Sequence, residues 1–129
     1  MEIFLHHIYE YKKGLRRLVL HTTASLYREF IEAKLSSQGI SYIIVPVSGI
    51  KINVFFGDPY CIEILRSFAH NDLSTLSDEQ DFILGSMLGY DIVQQCKRFL
   101  KRKEEYTIKE RTWANSNNSR LKMVNTYAN

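Results

Sequence analysis

Two runs of β-branched and aromatic residues, parted by a short polar turn, limit what this chain can fold into more than any other feature. Residues 41–47 (SYIIVPV) and 50–56 (IKINVFF) flank Ser48-Gly49, the pattern of a β-hairpin. A lone hairpin is not stable in water, so the rest of the chain must supply another strand and an apolar layer. Alternation in the second run places Ile52, Val54 and Phe56 on one face, expected to be the core side, and Lys51, Asn53 and Phe55 on the other. Pro46 cannot donate to a ladder, which puts its strand at a sheet edge or its tip at a bulge.

The additional strand is expected at residues 15–22 (LRRLVLHT), with Leu18 and Leu20 facing the core. A helix follows, starting after Thr22 or Thr23 as N-cap and stopping at Gly39, with Leu26, Phe30, Ala33 and Ser37 down one side. Strand, crossover helix and hairpin favour a split order, in which the last of the three strands inserts between the first two. Residues 2–13 are ambiguous. Phe4, Ile8, Tyr11 and Leu15 recur at spacings of 4, 3 and 4, which suits a helix closing at Lys12-Lys13-Gly14, but the same residues are rich in strand formers.

Gly57-Asp58-Pro59 opens a helix to about residue 69, because Asp can cap free amides and Pro fits the first helical position. Cys61, Ile64, Leu65 and Phe68 share its inner stripe. Ser77-Asp78-Glu79-Gln80 has capping-box spacing, and a long helix is predicted from there to about Lys103, acidic in its first turn and basic in its last. Residues 104–129 are polar and lack a sustained apolar period, so they read as a flexible basic tail. The expected architecture is one α+β domain over residues 1–103. It is a two-layer sandwich: a small antiparallel or mixed sheet of three to four strands, helices packed on one face, and a long C-terminal helix.

Charge sharpens the functional side. The net charge of +3 on 129 residues divides into +2 over residues 1–40, −5 over 41–96 and +6 over 97–129. No run approaches the roughly 18 apolar residues of a membrane span, and Met1 to His7 lack a signal-peptide layout, so a cytoplasmic protein without membrane association is expected. Cys61 and Cys96 have no second ligand at metal spacing, which indicates neither a disulfide framework nor a zinc ribbon.

Candidate sites are few. His6 and His7 are adjacent and diverge on a helix, so a metal site would need a carboxylate or His21 brought alongside; none is expected, and no cofactor either. His21, Thr22 and Thr23, read as a strand-to-helix corner, offer a possible anion site with free amides and hydroxyls, and capping alone would also explain the threonines. Both cysteines fall on apolar stripes and read as small core residues rather than nucleophiles. In the long helix, Ile83, Leu84, Gly85, Met87, Leu88 and Gly89 make the first half apolar nearly all round, which suits burial between layers or subunits. A symmetric homodimer through this surface is the expectation, the alternative being a chain break near Gly85. Lys97, Arg98, Lys101, Arg102 and Lys103 form a basic surface that could meet an acidic protein or nucleic-acid phosphates.

The segments His6 to Arg16, Leu18 to Thr22, Lys51 to Gly57 and Glu79 to Asp91 (EQDFILGSMLGYD) together resemble an uncharacterised family of small bacterial proteins, a domain of unknown function, over roughly residues 1–103. The resemblance implies a compact α+β domain and association with genes beside flavodoxin genes. It therefore suggests a flavodoxin as partner and carries over no catalytic residue. The functional expectation is a non-catalytic protein-interaction or regulatory module. Nucleic-acid binding through the basic cluster is the second reading, and an anionic-ligand or enzymatic role at His21-Thr22-Thr23 the third.

Overall fold

Residues 1–68 and 73–116 of this computed structural model are described. In chain order they form α1 (Glu2–Lys12), β1 (Leu18–Ala24), α2 (Arg28–Ser37), β2 (Ser41–Pro46), β3 (Lys51–Gly57), α3 (Pro59–Ser67), α4 (Asp78–Met87) and α5 (Ile92–Ser116). Short 3-10 turns at Ser25–Tyr27 and Leu73–Thr75 precede α2 and α4. β3 lies between β1 and β2 and is antiparallel to both, which is the split order expected from strand, helix and hairpin. The α+β class, the three-stranded sheet and a long C-terminal helix are all present. Residues 2–12 are helical, with Phe4 and Ile8 buried.

Helices cover both faces of the sheet rather than one. On the first face, Phe4, Ile8, Ile31 and Leu35 of α1 and α2 pack on Val19, Ile52, Val54 and Phe56. On the second, Ile62, Leu65, Leu84 and Leu88 of α3 and α4 pack around Leu18 and Phe55. The single core face expected from alternation in β3 is therefore not observed: only Lys51 is exposed, and every position from Ile52 to Gly57 is buried. Asn53 tolerates this because the Thr22 hydroxyl, directly across the ladder, donates to its Oδ1 at 2.6 Å.

The end of β1 and the start of α2 differ from the sequence reading. β1 runs to Ala24 and a 3-10 turn intervenes, so α2 starts at Arg28 with no side-chain cap from a threonine. That shift in phase buries Ile31 and Leu35 and leaves Leu26, Phe30 and Ala33 exposed, the reverse of the expected stripe. In α3, Asp58 caps as expected, accepting from the Tyr60 and Cys61 amides, but Ile62 and Leu65 point inward while Ile64 turns out.

The predicted single helix from Ser77 to Lys103 is two. The capping box at Ser77 and Gln80 opens α4, and the break comes at Gly89, whose φ of +83° suits glycine. Its amide donates to the Ser86 carbonyl and the Tyr90 amide donates to Gly85, closing the helix as a Schellman turn. Asp91 then caps α5 through the Gln94 amide. α5 lies antiparallel against α4 and continues through residues 104–116, expected above as tail. The remainder of that stretch, 117–129, lies outside the described residues. No described helix is long and apolar enough to cross a membrane.

Candidate functional site

The His21-Thr22-Thr23 segment sits within β1, not at a helix N-terminus. The Thr22 hydroxyl is engaged by Asn53, and the segment is extended strand rather than the helix-opening turn an anion site of that kind needs. The structure instead brings His21 to α1. The His7 and His21 rings meet edge to face with centroids 5.5 Å apart, and Phe4 lies 5.5 Å from His21. Arg16 Nη1 donates to His7 Nδ1 at 3.2 Å, and the Glu10 carboxylate lies 3.5 Å from the same nitrogen and 3.9 Å from Arg16. Partial burial, reinforced by the neighbouring His7, holds the His21 imidazole below its ordinary pKa, so it is kept neutral. A carboxylate and His21 thus do come alongside His7, as a metal site would need. Among the described residues, however, no three such side chains are arranged to hold an ion.

The cysteines are not poised for nucleophilic work. Cys61 is half-buried, and burial with the nearby Asp58 carboxylate pushes its thiol up, away from the thiolate. Cys96 is exposed on α5 rather than in the core. A cavity among Ile43, Val45, Phe55, Leu65, Phe68 and Leu84 measures about 10 Å³, room for roughly one water, and its lining residues are all apolar.

The α4–α5 pair accounts for most of the remaining sequence signals. Leu84 and Leu88 are buried in the second-face core and Met87 packs against it. Gly85 is buried beneath Gln95, whose side chain occupies the space a β-carbon would need. Of the six residues read as an intersubunit surface, only Ile83 and Gly89 are exposed. The apolar girdle of α4 is thus largely satisfied within the chain, by the sheet on one side and α5 on the other.

Three of the five basic residues are held by the acidic first turn of α4. Arg98 pairs with Asp81 at 2.8 Å, Arg102 with Asp78 at 2.9 Å and Asp81 at 3.1 Å, and Lys103 with Glu79 at 2.7 Å. Hydrogen bonds from Arg98 keep the Asp81 carboxyl below the usual range, and Lys103 does the same for Glu79. Phe82 of α4 and Phe99 of α5 pack edge to face at 5.8 Å. Lys97 and Lys101 are exposed on α5 and take part in none of these ion pairs, so a phosphate track would begin from them.

A family model described as a protein of unknown function, DUF2023, matches residues 2–102. The chain belongs to the DUF2023 family. No curated protein matches it. The DUF2023 match ends within one residue of Lys103, the last residue of α5 paired to α4 in the ion pairs above. Beyond that point α5 carries Tyr106, Ile108 and Trp113 at 60%, 52% and 63% exposure. Its covered half also turns an apolar row outward, with Val93 and Leu100 at 56% and 66%. This outer face of α5 is the surface that sequence reasoning missed. Continued as a single helix from Ser77 to Lys103, the chain would carry Val93, Cys96 and Leu100 in the same sector as Gly85, and the reversal at Gly89 separates them.

Proposed function

We propose that this DUF2023 domain is a non-catalytic protein-interaction module and that α5 is its docking element. One observation carries the reading: α5 turns a row of large apolar side chains outward, with Val93, Leu100 and Ile108 at 56%, 66% and 52% exposure. α4 begins at Asp78, opposite Arg102 and Lys103, and α5 continues past that point through Ser116, roughly 20 Å further at 1.5 Å per residue, with Tyr106 and Ile108 exposed. A partner laid along this face would bury Val93, Leu100 and Ile108. The chemistry elsewhere agrees, since the histidine cluster is locally satisfied and the Cys61 thiol is raised.

A flavodoxin is the first partner to try. Its acidic surface would meet Lys97 and Lys101, the members of the basic cluster outside the ion pairs to α4. Calorimetric titration of the full chain with a flavodoxin at low and physiological salt should show binding that weakens with salt. It should be lost in Val93→Glu/Leu100→Glu, two exposed positions whose substitution leaves both cores intact. Equal binding by that variant would remove α5 as the docking element. Absence of binding at either salt would remove the flavodoxin. Nucleic-acid binding predicts a steep salt dependence that survives Val93→Glu/Leu100→Glu and is lost in Lys97→Ala/Lys101→Ala.

A further inference from the structure

We propose that β2 is a self-pairing edge. Two copies of this chain join their sheets through antiparallel β2–β2 contact, with Ile44 of one protomer opposite the partner's Ile44. The proposal rests on backbone geometry separate from α5.

β2 is an outer strand, and its ladder with β3 fixes which of its groups are free. Val47 donates to the Lys51 carbonyl at 3.0 Å, and the register continues with Val45 opposite Asn53, Ile43 opposite Phe55 and Ser41 opposite Gly57. In an antiparallel pair the bonded residues alternate, so Tyr42, Ile44 and Pro46 turn their backbone polar groups outward. The strand carries no charged residue, and charge on the edge is a common device by which natural sheets block pairing. Its side chains are half-covered on both faces, Tyr42 and Ile44 on one core and Ile43 and Val45 on the other, so an added strand would complete both at once.

The outward groups fit a second copy of themselves in this register. Each Ile44 N–H would donate to the partner's Ile44 carbonyl, and each Tyr42 N–H to the partner's Pro46 carbonyl. The donor that Pro46 lacks would have been the one for the partner's Tyr42 carbonyl. That oxygen already faces Arg66 Nη2 of its own chain, 3.5 Å away. Every outward N–H and C=O of β2 is then matched, and the arrangement has the two-fold symmetry of a closed dimer.

The test is amide hydrogen exchange on the full chain, followed by NMR across a range of protein concentrations, with sedimentation velocity giving the dimer fraction. The amides of Tyr42 and Ile44 should slow by at least about tenfold in step with that fraction. An isotope-filtered contact should connect the α-proton of Ile43 with that of the partner's Val45, a non-hydrogen-bonded pair in this register. A monomer at every concentration, or a dimer in which these two amides exchange as fast as in dilute solution, overturns the proposal. A contact from Ile43 to the partner's Ile43 overturns the register.

Discussion

Replacing Gly57 by Ala tests the packing argument most sharply, because the same substitution at Gly89 supplies its own control. Gly57 closes β3 with φ +143° and faces Leu18 and Ser41 across its two ladders. A methyl group there would fall on the carbonyl oxygen of Arg17, 3.1 Å from its carbon and 3.2 Å from Leu18 Cα. All three are backbone atoms, and the Arg17 oxygen also accepts the Asp58 amide at 2.8 Å, so yielding would open the ladder end and loosen the cap of α3. Backbone strain of about 1–3 kcal/mol and overpacking of about 1–3 kcal/mol together give a loss of roughly 2–6 kcal/mol. That is a large part of the roughly 5–15 kcal/mol by which ordinary domains are stable. Gly89 has φ +83° but open space around its β-carbon, so Gly89→Ala should show only the left-handed penalty of about 1–2 kcal/mol. Urea unfolding followed by circular dichroism measures both, with a slope of about 1–3 kcal/mol per molar. Gly57→Ala should lose clearly more than Gly89→Ala, and equal losses would refute the close approach of β3 to β1.

Further outcomes follow from the two cores and the titrating groups. Phe4 is fully buried, with its ring 5.8 Å from that of Phe56, so Phe4→Ala should cost about 3–5 kcal/mol in the same assay; a loss below about 1 kcal/mol would deny that α1 belongs to the first core. Burial lowers the His21 pKa, so the unfolded chain takes up its proton first: stability is full above about pH 6.5 and falls as the pH drops toward the folded value. His21→Phe should flatten that part of the stability profile, and an unchanged slope would assign it elsewhere. Hydrogen bonding by Arg98 lowers the Asp81 pKa, so the α4–α5 contact contributes fully above about pH 4 and is lost as the pH falls through the folded value. Asp81→Asn should remove that acid-dependent step, and a step of the same size would show that the carboxylate does not hold α5.

Much of this architecture is legible in the residues because its punctuation is local. Asp58-Pro59 and the Ser77–Gln80 box open helices where their hydrogen-bonding chemistry says they should. The strand order follows from the spacing of one strand, one helix and one hairpin. What the residues hide is non-local. Leu26 and Phe30 look like an inner stripe because periodicity gives a phase without saying which side meets the sheet. Alternation sets Phe55 opposite the expected core face, and α3 and α4 make a second core there. The charge on Arg98, Arg102 and Lys103 suggests an external acid, and the acid is the first turn of the preceding helix, brought alongside only by the turn at Gly89. The contact of His7 with His21 likewise depends on how α1 lies on β1 and leaves no trace in spacing.

Site-specific photocrosslinking in the producing cell puts the interaction reading to its most direct test. A photoreactive residue replaces exposed Leu100 in one version of the full chain and exposed Ser36, on α2, in another. The account predicts a discrete crosslinked product with a second protein from the Leu100 position, absent from the Ser36 position and abolished by Val93→Glu. No product from Leu100, or the same products from both positions, would contradict α5 as the docking element of this domain.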